Sequence, residues 1–470
     1  MCLVSRRFLS VAQPLLHHGF LLGYGDSWRS NAFSWDGRLS AFLRTIVHRR
    51  DLAASVKRIY VHAQLLHHVK PDEARSAVDE VARVLDKSNV TEYTADFQAM
   101  LKEAGALGVL GLVLALVPNL DRLSLQVAGH TGGIPALKFQ ALALAIYEQK
   151  QLSSLKTLDI CSPSEEMTLF DLDHHAGQIL EVAGPSLETL NLHMCGAASL
   201  RIGEDSLHLR HIRVTQSCLG RECFKALLSA CAPGLETVVY EASYPFVPPW
   251  RCVFVMPGDP DYVDDNAGDR LSTDQLLCCL VKFRATLKSL HFDLRSRPNA
   301  STRWDAGRTK PLTGANTLTS FEALDDLFIS ACSICSPDEP VIADAELLTR
   351  LLPPNVKTLK LAGKRLGEAT NRLANALVHL AEIAAQGDSR FGALEHVQCD
   401  DSMAQVIDRM AVQELFAAAG ADFGYDSWPM SEATVPKGAS LEWVRQHEYG
   451  HILPGVGLPL PPESASDDDL

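Results

Sequence analysis

The sequence predicts an α/β solenoid, a stack of helix–strand units whose strands line up in one parallel sheet. Three observations predict it. A short apolar phrase recurs along the chain, a turn residue often stands before it, and a stretch with helical spacing precedes most copies. The phrase is apolar, two variable residues, apolar, one variable, apolar. Its copies are Val56, Ile59 and Val61; Leu120, Leu123 and Leu125; Leu155, Leu158 and Ile160; Leu187, Leu190 and Leu192; Leu209, Ile212 and Val214; Leu235, Val238 and Tyr240; Leu287, Leu290 and Phe292; Leu324, Leu327 and Ile329; Val356, Leu359 and Leu361; and Leu394, Val397 and Cys399.

Each element of the unit follows from local rules. In the strand, alternation sends the apolar residues to one face and the variable residues to the other. Pro or Ser ahead of the first apolar residue, as in "PNLDRLSL", "PSLETLNL" and "PNVKTLKL", marks a turn into the strand. Upstream segments such as "CFKALLSAC", "TDQLLCCLVKF" and "ANALVHLAEIAA" space their apolar residues for one helical face. A single unit cannot bury its apolar side, so neighbours stack and share a core. The copies resemble leucine-rich repeats, although their spacing is wider and less regular than the ~20–29 residues usual there. Loops are expected near 244–270 and 296–318, a Pro-rich acidic tail over 453–470, and one further degenerate unit between Val56 and Leu120.

Composition narrows the function classes. The chain has 470 residues, is 47% hydrophobic and 21% charged, and carries a net charge of −14. Those fractions are globular, not disordered. An acidic chain argues against sequence-independent binding to nucleic acid or anionic membranes. Twelve cysteines without paired spacing do not make a disulfide scaffold, and those in apolar runs (Cys195, Cys278, Cys279, Cys399) are expected as small buried hydrophobes. The longest apolar run, 104–117, is too short for a spanning helix. With two arginines at positions 6 and 7 in place of a secretory core, the reading is a reduced protein of cytoplasm or nucleus.

The first residues, "LVSRRFLSVAQPLLHHGF", place Leu3, Val4, Phe8, Val11 and Leu15 on one helical face, and Pro14 is expected to end or bend that helix. This phrase resembles the last helix of an F-box, and the segment after it resembles the first repeat of the irregular F-box/leucine-rich-repeat proteins common in fungi. The Leu-Pro-x-Glu helix that opens an F-box has no counterpart here. The resemblance implies that residues 1–20 are an F-box remnant, that 21–452 are repeats, and that Leu3, Val4, Phe8, Val11 and Leu15 bind a Skp-type adaptor. It also implies a non-enzymatic substrate receptor for a Skp–cullin–F-box ubiquitin ligase, acting in protein degradation. A hydrophobic cap over the first repeat is the alternative use of that helix.

The variable strand positions would line the concave wall and hold a protein partner. The residues expected there include Tyr60, Arg122, Asn191, His193, Arg213, His291, Asp293, Phe328, Lys360 and His396. The set is polar with isolated aromatics and mixed charge, which suits a protein or peptide more than a small apolar ligand. A stand-alone repeat scaffold without a ligase is the second reading. A third, a zinc metallopeptidase, rests on His447-Glu448-Tyr449-Gly450-His451, a literal H-E-x-x-H. Gly450 and Pro454 are poor helix context, and no third ligand has the required spacing. Cys332 and Cys335 form one C-x-x-C without the second pair a structural zinc needs. The pairs His17–His18, His67–His68 and His174–His175 diverge as neighbours and chelate poorly. No catalytic, cofactor or metal residue is expected.

Overall fold

Twelve strands lie in one sheet, and every neighbouring pair is parallel. The computed structural model describes residues 12–13, 15–20, 34–61, 63–86, 95–127, 152–162, 169–198, 200–242, 271–294, 318–334, 344–363, 368–386, 389–404 and 409–426. The strands are β1 (Gly19–Phe20), β2 (Arg58–Val61), β3 (Arg122–Gln126), β4 (Thr157–Cys161), β5 (Phe170–Asp171), β6 (Thr189–His193), β7 (Cys195–Ala197), β8 (His211–Ser217), β9 (Thr237–Ala242), β10 (Ser289–Asp293), β11 (Asp326–Ser330), β12 (Thr358–Ala362), β13 (His396–Asp400) and β14 (Asp422–Asp426). The large sheet runs in chain order and omits only β5 and β7, which pair with each other. Parallel neighbours need a crossover between them, and most of the described crossovers carry helix.

All ten copies of the phrase end in strands of this sheet. Their apolar residues join helix residues in one core that runs from Phe20 to Phe423. Leu123, Leu158, Leu190, Ile212, Val238, Leu290, Leu327 and Leu359 are in register across it. Where the phrase uses aromatics, the rings pack together: Tyr240 meets Phe224 edge-on at 5.6 Å between centroids and lies tilted against Phe292 at 5.8 Å. The helix Arg38–His48 buries Leu39, Phe42, Leu43, Ile46 and Val47, an i, i+3, i+4, i+7, i+8 stripe. The apolar run forms the helix Ala106–Leu116, and its last nine residues are all buried, which makes it a core helix. Among the described residues no helix is long and apolar enough to cross a membrane.

The residue just before each strand follows its own rule. Lys57, Asp121, Lys156, Glu188, Arg210, Glu236, Lys288, Asp325, Lys357 and Glu395 alternate in sign along the stack. Nine of these backbone carbonyls, Lys57 through Lys357, accept two N–H groups each, from the next unit's equivalent residue and the residue after it. Asp121 and Arg122 both donate to Lys57 O (2.8 and 3.0 Å), and Lys357 and Thr358 both donate to Asp325 O (2.8 and 2.9 Å). Alternating signs put opposite charges on neighbours: Lys156 Nζ is 3.2 Å from Glu188, and Lys357 Nζ is 3.8 Å from Asp325. Glu236 takes Lys288 at 2.9 Å on one side and Arg210 on the other.

Several expectations need correction. β2 and β3 pair directly, so the span between them inserts no further strand in the sheet. That span supplies the helices Ala63–His67, Pro71–Asp86, Ala95–Glu103 and Ala106–Leu116. The repeat count is larger at both ends, because β1 and β14 lack the leucine phrase yet extend the ladder. Between β6 and β8 the described residues form no helix, only β7, turns and irregular chain, so that unit is not a helix–strand pair. Helical residues stand at 12–13 and 15–16, His17 N donates to Gln13 O at 3.1 Å and a turn follows, while Pro14, expected to end or bend this helix, lies outside the described residues. The expected loop near 244–270 and the tail over 453–470 lie outside the described residues, as does the loop near 296–318 apart from Leu318.

Replacing Leu190 by Ala, in the middle of the buried row, is expected to cost about 2–5 kcal/mol in a denaturant titration. Hydrogen bonds from Lys288 and Arg210 hold the Glu236 carboxyl below its ordinary value. A group depressed on folding stabilises above its unfolded value of 4.5, and the effect fades as the pH falls through the lower folded value. Unfolding midpoints of the protein and of Glu236→Gln are therefore expected to differ at pH 7 and to converge in acid.

Candidate functional site

The face of the sheet opposite the helices carries three rows of variable side chains, one from each odd strand position. The middle row is continuous in register: Tyr60, Ser124, Asp159, Asn191, Arg213, Val239, His291, Phe328, Lys360, Gln398 and Gly424. All ten residues expected on the partner surface lie on this face, six of them in this row. Arg122 and His396 lie in the first row, and His193 and Asp293 in the fifth-position row.

The face has two halves. From β3 to β8 it is a buried polar network. Asp159, 2% exposed, accepts from Arg122 Nε (2.7 Å) and Ser124 Oγ (2.6 Å) on one oxygen and from Asn191 Nδ2 (2.7 Å) on the other. Two charge-assisted bonds and an amide surround one buried carboxylate, the condition under which a buried charge is tolerated. His193 Nδ1 pairs with Thr215 Oγ1 at 2.9 Å. Tyr60, Arg122, Asn191 and His193 are buried here, and so is Phe328 in the other half, where the repeat reading placed exposed wall residues. The spacing of rows across a parallel sheet explains this: strands only ~4.8 Å apart press long side chains against one another. Arg213 is less buried. Burial lowers its pKa first, repulsion from Arg122 adds to that, and Asp159 opposes both.

From β9 to β14 the face is more open and more acidic. His291 and Phe328 stack at 3.8 Å with 2° between ring planes. His291 Nε2 lies 3.5 Å from Glu241. Ser289 Oγ donates to Asp326 at 2.8 Å, Lys360 Nζ is 3.7 Å from the same carboxylate, and His396 Nδ1 is 3.6 Å from Asp422. Burial pulls the His211 pKa down, which favours the neutral ring. Mixed charges held at the rim of an aromatic stack suit a polar polypeptide.

Asp159 escaped the sequence-based site although its signal was present. It is the variable position of "SSLKTLDI", between Leu158 and Ile160, and it faces the same way as Asn191 in the next copy. Leu15, from the adaptor set, is 71% exposed, and its neighbour Leu16 is 68% exposed. Leu3, Val4, Phe8 and Val11 lie outside the described residues, as do His447, Glu448, His451 and Cys335. Among the described residues no group of three or more His, Cys, Asp or Glu is placed to hold a metal. Of the described histidine pairs, His18 O accepts from Lys57 N, His68 pairs with Asp36, and His175 packs edge-on to both Phe170 and His174.

The cysteines split. Cys195 and Cys399 are buried as expected, but Cys278 is exposed and Cys279 half-buried. The helix Thr273–Leu280 turns Leu276, Leu277 and Leu280 inward, which leaves Cys278 on the outer side. Burial pushes the Cys231 thiol up to about 12 and raises Cys195 and Cys399 further.

No protein-family model matches the chain, and no curated protein matches it either.

Two measurements check this geometry. Asp159→Ala leaves Arg122 without its buried partner and is expected to cost about 3–5 kcal/mol of stability by denaturant titration. With a maleimide at neutral pH, mass spectrometry is expected to find Cys278 modified in the folded protein, and Cys195, Cys231 and Cys399 only after unfolding.

Proposed function

We propose that this chain is a non-enzymatic recognition subunit of leucine-rich-repeat type. The observation that carries the reading is the unbroken twelve-strand parallel sheet in chain order, with one face committed to the core and the other presenting a register-matched polar row. Solenoids of this kind use that face, concave once the stack curves, as an extended binding wall. Its open half from β9 to β14 would contact a protein partner through His291, Asp293, Phe328, Lys360 and His396.

The partner assembly would be a Skp–cullin–F-box ubiquitin ligase, with the N-terminal helix docking on the Skp-type adaptor. Support comes from the F-box-like phrase and from Leu15 and Leu16, two large apolar side chains left in solvent beside the first strand. Exposed apolar pairs are a marker of contact surfaces. No covalent chemistry, cofactor or metal enters this role, and the reading places the protein in cytoplasm or nucleus.

Co-expression of the full chain with a Skp-type adaptor tests it. A complex that survives gel filtration and is lost in Phe8→Asp and in Leu15→Asp is expected. If the adaptor never co-elutes with the folded chain, the ligase role falls, and a stand-alone repeat scaffold takes its place.

A further inference from the structure

Among the described residues the stack stops on an open edge. β14 is the last strand of the sheet, five residues long like β11 to β13, and it pairs with β13 in unbroken register. The opposite edge, β1, has only two residues. The rule that nine carbonyls obey halts at β14. Ala421 O occupies the equivalent place, and no described residue donates to it. Along a strand of a parallel ladder, successive residues bond alternately to one neighbour and to the other. Asp422 N donates to Glu395 O, toward β13, so the N–H and C=O of Phe423 and the C=O of Ala421 point away from it. Sheet edges are commonly blunted by Pro, Lys, a bulge or a very short strand, and β14 carries none of these.

The side chains decide what this edge accepts. Asp422 and Asp426 stand at its two ends on the polar face, with Gly424 between them. The contact with His396 leaves the Asp422 side chain 91% exposed, and nothing described lies within 4 Å of where a Cβ would stand on Gly424. Phe423 turns to the core side and stacks on Phe416 at 5.5 Å. Two copies of the edge pairing antiparallel about Gly424 would set Asp422 of one against Asp426 of the other, and like charges directly opposite are destabilising. A strand with cations at those two positions meets an aspartate at each. We infer that the free edge of β14 docks an extended basic segment of a partner protein, added in parallel as the next strand of the sheet. Lys or Arg would lie opposite Asp422 and Asp426, and apolar residues opposite Phe423 and Tyr425. Main-chain hydrogen bonds supply the affinity in such strand addition, and here the two aspartates supply the selectivity.

This inference uses the end of the stack and neither the polar wall nor the ligase adaptor, so purified full chain without adaptor is the material to use. The probe is a short fluorescent peptide with Lys-Leu-Thr-Leu-Lys at its centre, read by anisotropy. It is expected to bind, and the same peptide with Glu in place of both Lys to bind about tenfold more weakly or worse. Residues opposite Asp422, Gly424 and Asp426 send their N–H toward β14. N-methylation of the central Thr is therefore expected to abolish binding, and N-methylation of either Leu, whose N–H points outward, to leave it intact. The double variant Asp422→Lys and Asp426→Lys is expected to prefer the Glu peptide, with an unchanged melting temperature showing that it folds. No binding of the Lys peptide to the unaltered chain overturns the inference. Equal loss on methylating Thr and Leu overturns it, because the peptide would not be pairing along its edge. An unreversed preference in the double variant overturns it too, because the cations would be held elsewhere on the acidic half of the face. A chain that light scattering finds dimeric and that binds neither peptide gives the edge to a second copy instead. Adaptor binding is untouched by the double variant, so failure here and failure of the ligase role are separable.

Discussion

The structure depends on one repeated contact: the carbonyl ahead of a strand receives both N–H groups at the start of the next. Applied unit after unit, it locks each strand into parallel register at its entrance, before any side chain is counted. A strand fixed there can slip by one residue only by turning its leucines to solvent, and each such residue is worth about 1.5–3 kcal/mol of burial. Backbone ladder and apolar row therefore enforce the same alignment. The alternating charges at the same position add little energy individually, since pairs at exposed sites are weak. Their sign pattern favours each unit's true neighbour over the unit two places away, where like charges would meet.

That alignment also decides where function can reside. With one face of the sheet closed by helices, all variable strand residues are delivered to the other face in straight rows. Burial is uneven along those rows. In the first half, Asp159 gathers Arg122, Ser124 and Asn191 into a network that costs stability if any member is lost. In the second half the residues are less buried and the ion pairs longer. Preorganisation at one end and accessible mixed chemistry at the other is an arrangement suited to anchoring a partner at one point and reading it along the rest.

The sequence made the repeated strands legible because their signal is local: two apolar residues one position apart, after a turn, in ten copies. It did not reveal β1, which is two residues long, or β14, where Ala421, Phe423 and Tyr425 stand in for the leucines. The stretch between β2 and β3 was misjudged for the opposite reason. It is long enough for a unit, but its apolar residues have helical spacing, and only the pairing of Arg58 with Arg122 shows that it stays outside the sheet. The charge alternation was visible in the text of the repeats, yet its meaning depends on which residues become neighbours. The burial of Tyr60, Asn191 and His193 was not legible at all, since exposure on this face is set by what lies on adjoining strands. Of the residues that the F-box resemblance assigns to an adaptor, Leu15 alone lies among the described residues.

Distances between spin labels on the polar face test the stack most directly. In strand order, β10 lies four steps from β4 and β13 lies seven. At ~4.8 Å per step, labels at Thr157 and Ser289 should lie about 19 Å apart, and labels at Thr157 and His396 about 34 Å, apart from the length of the label arms. Distances that grow in this order with strand number are the expected result. A Thr157–His396 distance equal to or shorter than Thr157–Ser289 would contradict the single ordered sheet, and with it the wall on which recognition is proposed to occur.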